Sequence, residues 1–566
     1  MRARDWIARE GDGFVVLLFA CVAVFAALPF ARLLLAALAP DGRFDLAASF
    51  TAATGRAALT ATWNTIEIGI TSSVGALVLG AGFATALAVT DVRGKRVLAL
   101  LYVTSLLVAP QVAALAFKTL AGPASPILNA LSLAPPPGTA NPLLGRAGII
   151  LVLSLHHAPL VAITLATGLR AIPASLIEAA QLDGATPPTI LRRIVLPLMR
   201  PHLTIATLLV FVAGVGNFGI PALLGIPGNY LVLPTLIYQR LAAFGPGVLS
   251  EVAVLSVLIG LIAVIGIVAQ DILLARRDFR TAATAVEARV FELRRRRLPV
   301  EIALWTLACV TLVLPLIALL LASLVPAVGV PLDALSVTLD NYRFVLFEHA
   351  AARRAFGNSV GLSAAAAVTI VAIAVPLAYF LVWHPTRLLR FVNIVVEVPF
   401  AVPGVALAIA AILLFLKPLP IVGFSLYNTL WIILFCYLAR FLVLGLRPIV
   451  SGYHQLDRTL DEAAQIAGAR LGRRLATIIV PLVAPAAAAG SLLIFLTAFN
   501  ELTVSALLWS AGSETLGVVF FSFQQGGDSN YAAALGMFTV VMSVALMLCT
   551  LLLARRLPKG VLPWRD

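Results

Sequence analysis

Glu178-Ala179-Ala180, followed after three residues by Gly184 and after nine more by Ile194-Val195-Leu196-Pro197, is one of two copies of the same pattern. The second reads Glu462-Ala463-Ala464, then Gly468, then Ile478-Ile479-Val480-Pro481, with each matched position 284 residues from its mate. That offset is close to half of the 566-residue chain. Self-similarity at a fixed period decides architecture before local structure does. The chain therefore reads as two homologous halves.

Composition puts both halves in a membrane. Apolar residues make up 61% and charged residues 12% of the chain, and mean hydropathy is +1.03; in a soluble domain about a quarter of residues are charged. A helical crossing needs about 20 apolar residues. Such runs lie at roughly 14–39, 64–90, 97–121, 147–169, 201–225 and 247–275, and again at roughly 299–325, 357–383, 391–416, 428–446, 486–510 and 531–554. A transmembrane barrel shows short alternating segments instead. The expectation is an all-α polytopic protein of about twelve crossings: residues 1–275 as one six-helix half, 276–298 as a basic linker and 299–566 as the other half. The linker is too short to hold a soluble domain.

Charge fixes the orientation. With the N-terminus inside, 29 of the 40 lysines and arginines fall on inside segments, as the positive-inside rule requires. Both termini, the linker and both copies of the pattern then face the cytoplasm, and the tract at about 331–356 lies outside. The same bias, with anionic membrane lipid, accounts for most of the net charge of +14. Nucleic acid is not implied, because the basic residues are scattered among loops. The first apolar run exceeds a cleavable signal core of about 7 to 15 residues, so it reads as a retained helix.

Ser175 with Glu178 and Thr459 with Glu462 have capping-box spacing. Ala-Ala keeps one face of the helix thin, and Gly184 and Gly468 suit a left-handed C-terminal position. Thr186-Pro187 reads as an N-cap with proline at N1, opening a second short helix. Pro197 and Pro481 stand where the chain would turn into the membrane. Taken alone, this helix-turn-helix also fits an inert amphipathic surface.

The full spacing resembles the signature loop of the inner-membrane permeases of binding-protein-dependent ABC importers, the type I importer family. The first copy matches throughout, and the second departs only with Val480 for leucine. Six helices per half also fit. The resemblance implies that Glu178, Ala179, Ala180, Gly184, Ile194, Leu196 and Pro197, with Glu462, Ala463, Ala464, Gly468, Ile478 and Pro481, form two coupling loops that dock on ATPase subunits. It implies two copies of an ABC ATPase, an extracytoplasmic solute-binding protein and a bacterial inner-membrane location. Fusion of two halves resembles the ferric-iron permeases and, second, the thiamine permeases; Asn217 through Gly225 and Asp340-Asn341-Tyr342-Arg343 with Asn358-Ser359 lean toward iron. Polyamine, phosphonate and sulfate permeases share much of the same pattern, usually as separate chains.

None of the four lysines stands in a Gly-Lys-Ser/Thr sequence, the end of a phosphate-cradling loop. ATP and magnesium are therefore expected on the partner ATPase, with no cofactor held by this chain and no catalytic residues. The six histidines are mostly scattered, and adjacent His156 and His157 point to different helix faces. Cys21, Cys309, Cys436 and Cys549 lie in apolar runs and imply no disulfide or zinc framework. No metal site is expected.

Polar residues inside apolar runs are costly in lipid and face protein or water. These include Glu67, Gln111, Glu251, Glu397, Asn217, Asn500 and Glu501. Asn217 and Asn500 lie in matching helices, so with Glu501 they are candidates for a translocation path, against the alternative of interhelical hydrogen bonds. Asn64 and Asn358 read as N-caps of the second helix of each half. A secondary transporter, also built from repeats, has no use for two ATPase-docking loops. A channel or a structural membrane protein is the third reading.

Overall fold

The computed structural model describes residues 18–39, 44–136, 138–170, 172–243, 245, 247–275, 291–330, 336–418 and 423–554. The N-terminal arginines, most of the linker and the C-terminal basic tail expected from the sequence lie outside these residues. The described chain is helical apart from loops and one isolated bridge between Thr90 and Phe291.

In the first half the helices are α1 (Leu18–Leu38), α2 (Arg56–Val89), α3 (Lys95–Leu107), α4 (Pro110–Ala121), α5 (Arg146–Arg170), α6 (Ala174–Leu182), α7 (Pro187–Val215), α8 (Leu233–Ala242) and α9 (Val248–Ala275). The second half repeats them as α10 (Arg294–Ser323), α11 (Ala350–Trp383), α12 (Arg387–Ala401), α13 (Gly404–Phe415), α14 (Leu430–His454), α15 (Thr459–Ile466), α16 (Leu471–Phe499), α17 (Leu516–Gly526) and α18 (Ser529–Ala554). Among the described residues, ten helices are long and apolar enough to span a bilayer, and two bent pairs bring the count to twelve.

The bent pairs were not expected from the sequence. The third crossing of each half breaks, by 107° between α3 and α4 and by 105° between α12 and α13. Proline causes both breaks. Val108 and Ala109 are extended before Pro110, and Val402 and Pro403 are extended before Gly404. A proline cannot donate the helical hydrogen bond and disfavours helix in the residue ahead of it.

Prolines also shape the longer helices. One turn widens to a π-helix at Ala23–Ala27, Leu191–Val195, Cys309–Val313 and Leu475–Ile479. Each runs straight into Leu28-Pro29, Leu196-Pro197, Leu314-Pro315 or Val480-Pro481. The wider turn accommodates the ring and the missing amide. This corrects the reading of Pro197 and Pro481 as turns: α7 and α16 continue through them as single spans.

Close backbone approach packs α2 on α5, where a Cβ on Gly75 or Gly80 would meet Ser154 or the Ala158 carbonyl at 2.3 and 2.4 Å. Small residues let helices approach in this way inside a membrane. Each half is built on such a trio, α2, α5 and α7 or α11, α14 and α16. The first helix of each half also crosses over: α1 packs on α9 and on α13, and α10 packs on α18 and on α4.

The tract expected to be linker ends differently from a simple tether. The Phe291 amide donates to the Val89 carbonyl at 2.7 Å, and the Leu293 amide donates to Asp91 Oδ1 at 2.9 Å. Arg297 lies 3.5 Å from Asp91 and 2.9 Å from Glu301, which also accepts the Arg93 amide at 2.8 Å. The Leu293 hydrogen bond first, then the Arg297 charge, holds the Asp91 carboxyl below its usual range. Helix α10 thus begins at Arg294, ahead of 299, and its start is stitched to the first half.

Candidate functional site: the twin helical loops

After α5 ends at Arg170, Pro173 occupies the N-cap of α6 with no side-chain cap. The capping boxes expected from the sequence are absent. Ser175 lies inside α6. In the second copy Asp457 Oδ1 takes the Thr459 amide at 3.0 Å and Glu462 pairs with Arg458 at 3.1 Å. In both cases a neighbour outside the pattern supplies the helix start.

The helix ends agree in the two copies. Gly184 has φ +77° and Gly468 φ +80°. Gly184 and Ala185 donate to the Gln181 and Ala180 carbonyls at 3.0 and 2.9 Å; Gly468 and Ala469 donate to Gln465 and Ala464 at 3.0 and 3.0 Å. This is the paired closure of a helix ending on a left-handed residue. Pro187 then begins α7 at N1 with Thr186 before it, though the Thr186 hydroxyl bonds the Thr189 hydroxyl at 2.9 Å instead of capping.

Exposure follows the same register. Glu178, Ala179, Leu196, Glu462, Ala463, Val480 and Pro481 are exposed, while Ala180, Ile194, Pro197, Ala464 and Ile478 are half-buried. Leu182 and Ile466, at the same position in the two copies, are each 89% exposed. A large apolar side chain thus stands exposed beside the glycine turn in each copy.

The inner faces differ. Ile177 and Ile190 are 1% and 0% exposed and sit in one apolar cluster with Leu169. At the same positions of the second copy stand Asp461, Arg474 and Tyr453. Arg474 Nη1 donates to Asp461 Oδ2 at 3.1 Å, and the Tyr379 hydroxyl donates to the same oxygen at 2.9 Å. His384 Nε2 lies 3.4 Å from that hydroxyl, and Tyr453 donates to the Val375 carbonyl at 3.0 Å. Burial, then the nearby Arg458 charge, pushes the His384 imidazole below its ordinary value, so it adds no charge to the cluster at neutral pH.

The candidate path residues turn out to be largely engaged in building the fold. Asn217 Oδ1 accepts the Ile220 amide at 3.0 Å, and Glu501 Oε1 accepts the Val504 amide at 2.7 Å. Both bonds close the turn into the short helix that follows α7 or α16, Gly219–Leu224 or Ser505–Leu508, at one register. The mate of Asn217 is therefore Glu501, which corrects the pairing with Asn500. Asn500 instead donates to Ser543 Oγ at 3.1 Å, and its carbonyl accepts from Gln111 of the other half at 3.1 Å. Glu501 also faces Arg440 of α14 at 3.9 Å.

The other carboxylates singled out in the apolar runs are paired. Glu67 meets Arg146 and accepts the Tyr230 hydroxyl at 2.7 Å, Glu251 lies 3.3 Å from Arg240, and Glu397 meets Arg447. Asn64 and Asn358 are not N-caps, since α2 and α11 start well before them. Asn64 donates to the Leu231 carbonyl at 2.8 Å; Asn358 donates to those of Gly512 and Glu514 at 3.0 and 2.9 Å. Asn341 donates to Ser323 and Val325 carbonyls at 2.9 and 2.8 Å.

Sequence reasoning passed over Asp461, Arg474 and Arg440. Aligning the two copies at the common offset finds them, because Ile177 with Ile190 becomes Asp461 with Arg474, and His156 with Asn217 becomes Arg440 with Glu501.

The family described as the binding-protein-dependent transport system inner membrane component matches residues 76–281 and 370–562. A probable ABC transporter permease protein of Sinorhizobium fredii is 28% identical over 99% of this chain and 97% of its own length. The ferric transport system permease protein of Actinobacillus pleuropneumoniae is 25% identical over 72% of this chain and 58% of that protein. The spermidine/putrescine transport system permease protein of Escherichia coli is 29% identical over 30% of this chain and 62% of that protein. Among solved structures, a bacterial ABC transporter involved in the import of alginate aligns with 47% of this chain and 98% of its own at 18% identity and a TM-score of 0.38.

Proposed function

The chain belongs to the family of binding-protein-dependent transport system inner membrane components, and from that premise we propose that α6 and α15 are the coupling helices through which ATPase subunits drive it. It is a multi-pass permease of the ABC importer type. Two ATPase subunits, one for each loop, carry ATP and magnesium; an extracytoplasmic binding protein delivers solute to the opposite side. Both loops and both termini face the cytoplasm in this reading, as the arginine distribution supports.

The observation that carries the reading is the repeated apolar tip, Leu182 and Ile466, each 89% exposed and each held by a glycine turn. The proposed solute is ferric iron, because the ferric relative matches more of this chain than one half contains. The stretches around Asn217 and Asn341 add no weight, since their polar groups make structural hydrogen bonds.

The test is co-purification. Leu182→Asp and Ile466→Asp each place a charge at a buried docking contact, with a cost of about 2 kcal/mol or more. Each variant should insert normally yet retain less of the co-expressed ATPase, and accumulate less labelled iron(III) citrate when the binding protein is present. Full ATPase retention by both variants would remove the docking role, and wild-type cells that take up no iron would remove the solute.

A further inference from the structure

The two loops present similar surfaces outward and are fastened inward by unlike chemistry. Behind α6 the contact is apolar, with Ile177 against a cluster that includes Ile190, Leu165 and Leu169. Behind α15, Asp461 and Arg474 are 4% and 1% exposed and meet at 3.1 Å. One carboxylate oxygen receives bonds from two elements, Arg474 of α16 and Tyr379 of α11 at 2.9 Å. Tyr379 packs edge-on to Trp383 at 5.4 Å, and Trp383 on Tyr453 of α14 at 5.2 Å.

Burying two ions gives little net stability over an apolar pair of similar size, because desolvation opposes the attraction. The ionic arrangement differs in geometry. Hydrogen bonds weaken steeply as distance and angle depart from their optimum, whereas apolar contact is non-directional. An ion pair anchored on two helices admits one setting of α15. A pair of isoleucines tolerates sliding.

Resting on the reading of α6 and α15 as coupling helices, we propose that Asp461 and Arg474 are positioning residues that lock the second coupling helix to α11 and α16, making the two docking loops mechanically unlike. The second loop transmits displacement as a rigid part of its half. The first transmits it through a contact able to slip.

The experiment measures distance distributions between spin labels in the full-length permease, with Cys21, Cys309, Cys436 and Cys549 replaced. One label pair is Ile466→Cys with Leu493→Cys; the other is Leu182→Cys with Leu209→Cys, at the same register and likewise exposed. The second-half distribution should be narrower. Asp461→Ile with Arg474→Ile, which installs the first half's pair, should broaden it to match the first half without lowering the yield of inserted protein. Tyr379→Phe keeps the ion pair, removes one of the two bonds and should broaden it partly. Equal widths in the unmodified protein would overturn the proposal, as would unchanged width in Tyr379→Phe together with the double variant. The underlying reading fails separately, if Leu182→Asp and Ile466→Asp both retain the ATPase.

Discussion

At the scale of single residues, Gly184 and Gly468 are legible from sequence for a physical reason. A helix that must end and reverse within a few residues needs a left-handed position, which glycine adopts without strain. The local geometry makes the requirement testable. No atom lies within 4 Å of where a Cβ on Gly468 would stand, so a substitution meets conformational strain and no steric clash. Gly468→Val should cost about 1–2 kcal/mol, the scale of forcing a side chain into that region. Gly468→Asn should cost distinctly less, since asparagine tolerates it. The melting temperatures of the purified variants decide the matter; equal losses for both would refute a φ-based role. Asp461 and Arg474 were illegible for the opposite reason. In one copy of a surface loop, an aspartate and an arginine thirteen positions apart look like solvated charges, and only packing brings them together.

At the scale of elements, long apolar runs gave away the straight spans, because lipid demands about 20 apolar residues in succession. The ends of those helices were not legible. At 34 residues, α2 and α11 are each about 51 Å long at 1.5 Å per residue, well beyond a hydrocarbon core of about 30 Å. Their first turns are alanine-rich and carry Arg56 or Arg353 and Arg354, which weakens the hydropathy signal, so the sequence places the starts at Asn64 and Asn358. Their real task is to hold the loops that lead into α8 and α17. Thr65 and Ser359, one residue on, accept the Leu233 and Leu516 amides at 2.8 and 2.9 Å, so the same clasp occurs in both halves. Asn358→Ala removes two bonds to carbonyls and should cost about 1–3 kcal/mol. Asn64→Ala removes one and should cost less. Thermal melts of the two variants in the same detergent test the order, and a larger loss for Asn64→Ala would contradict it.

At the scale of the whole molecule, duplication was legible because the offset between copies is constant from α5 through α7 and from α14 through α16. How the halves meet was not, since crossing contacts leave no periodic trace. Each half lends its first helix to the other, α1 on α13 and α10 on α4. Tyr238 of α8 meets Phe521 of α17 edge-on at 5.6 Å. Phe291, Leu293 and Arg297 add the stitched contact to Val89 and Asp91. With so many contacts crossing between halves, the covalent link carries little of the assembly. We predict that a chain cut between residues 282 and 283, with the two pieces co-expressed, reassembles in the membrane, co-purifies through a tag on either piece and retains the co-expressed ATPase. Cutting instead between residues 292 and 293 takes Phe291 and its bond to the Val89 carbonyl away from the second piece and should reduce recovery of that piece. Pieces that insert separately and never co-purify at either cut would show that the halves depend on the linker to meet.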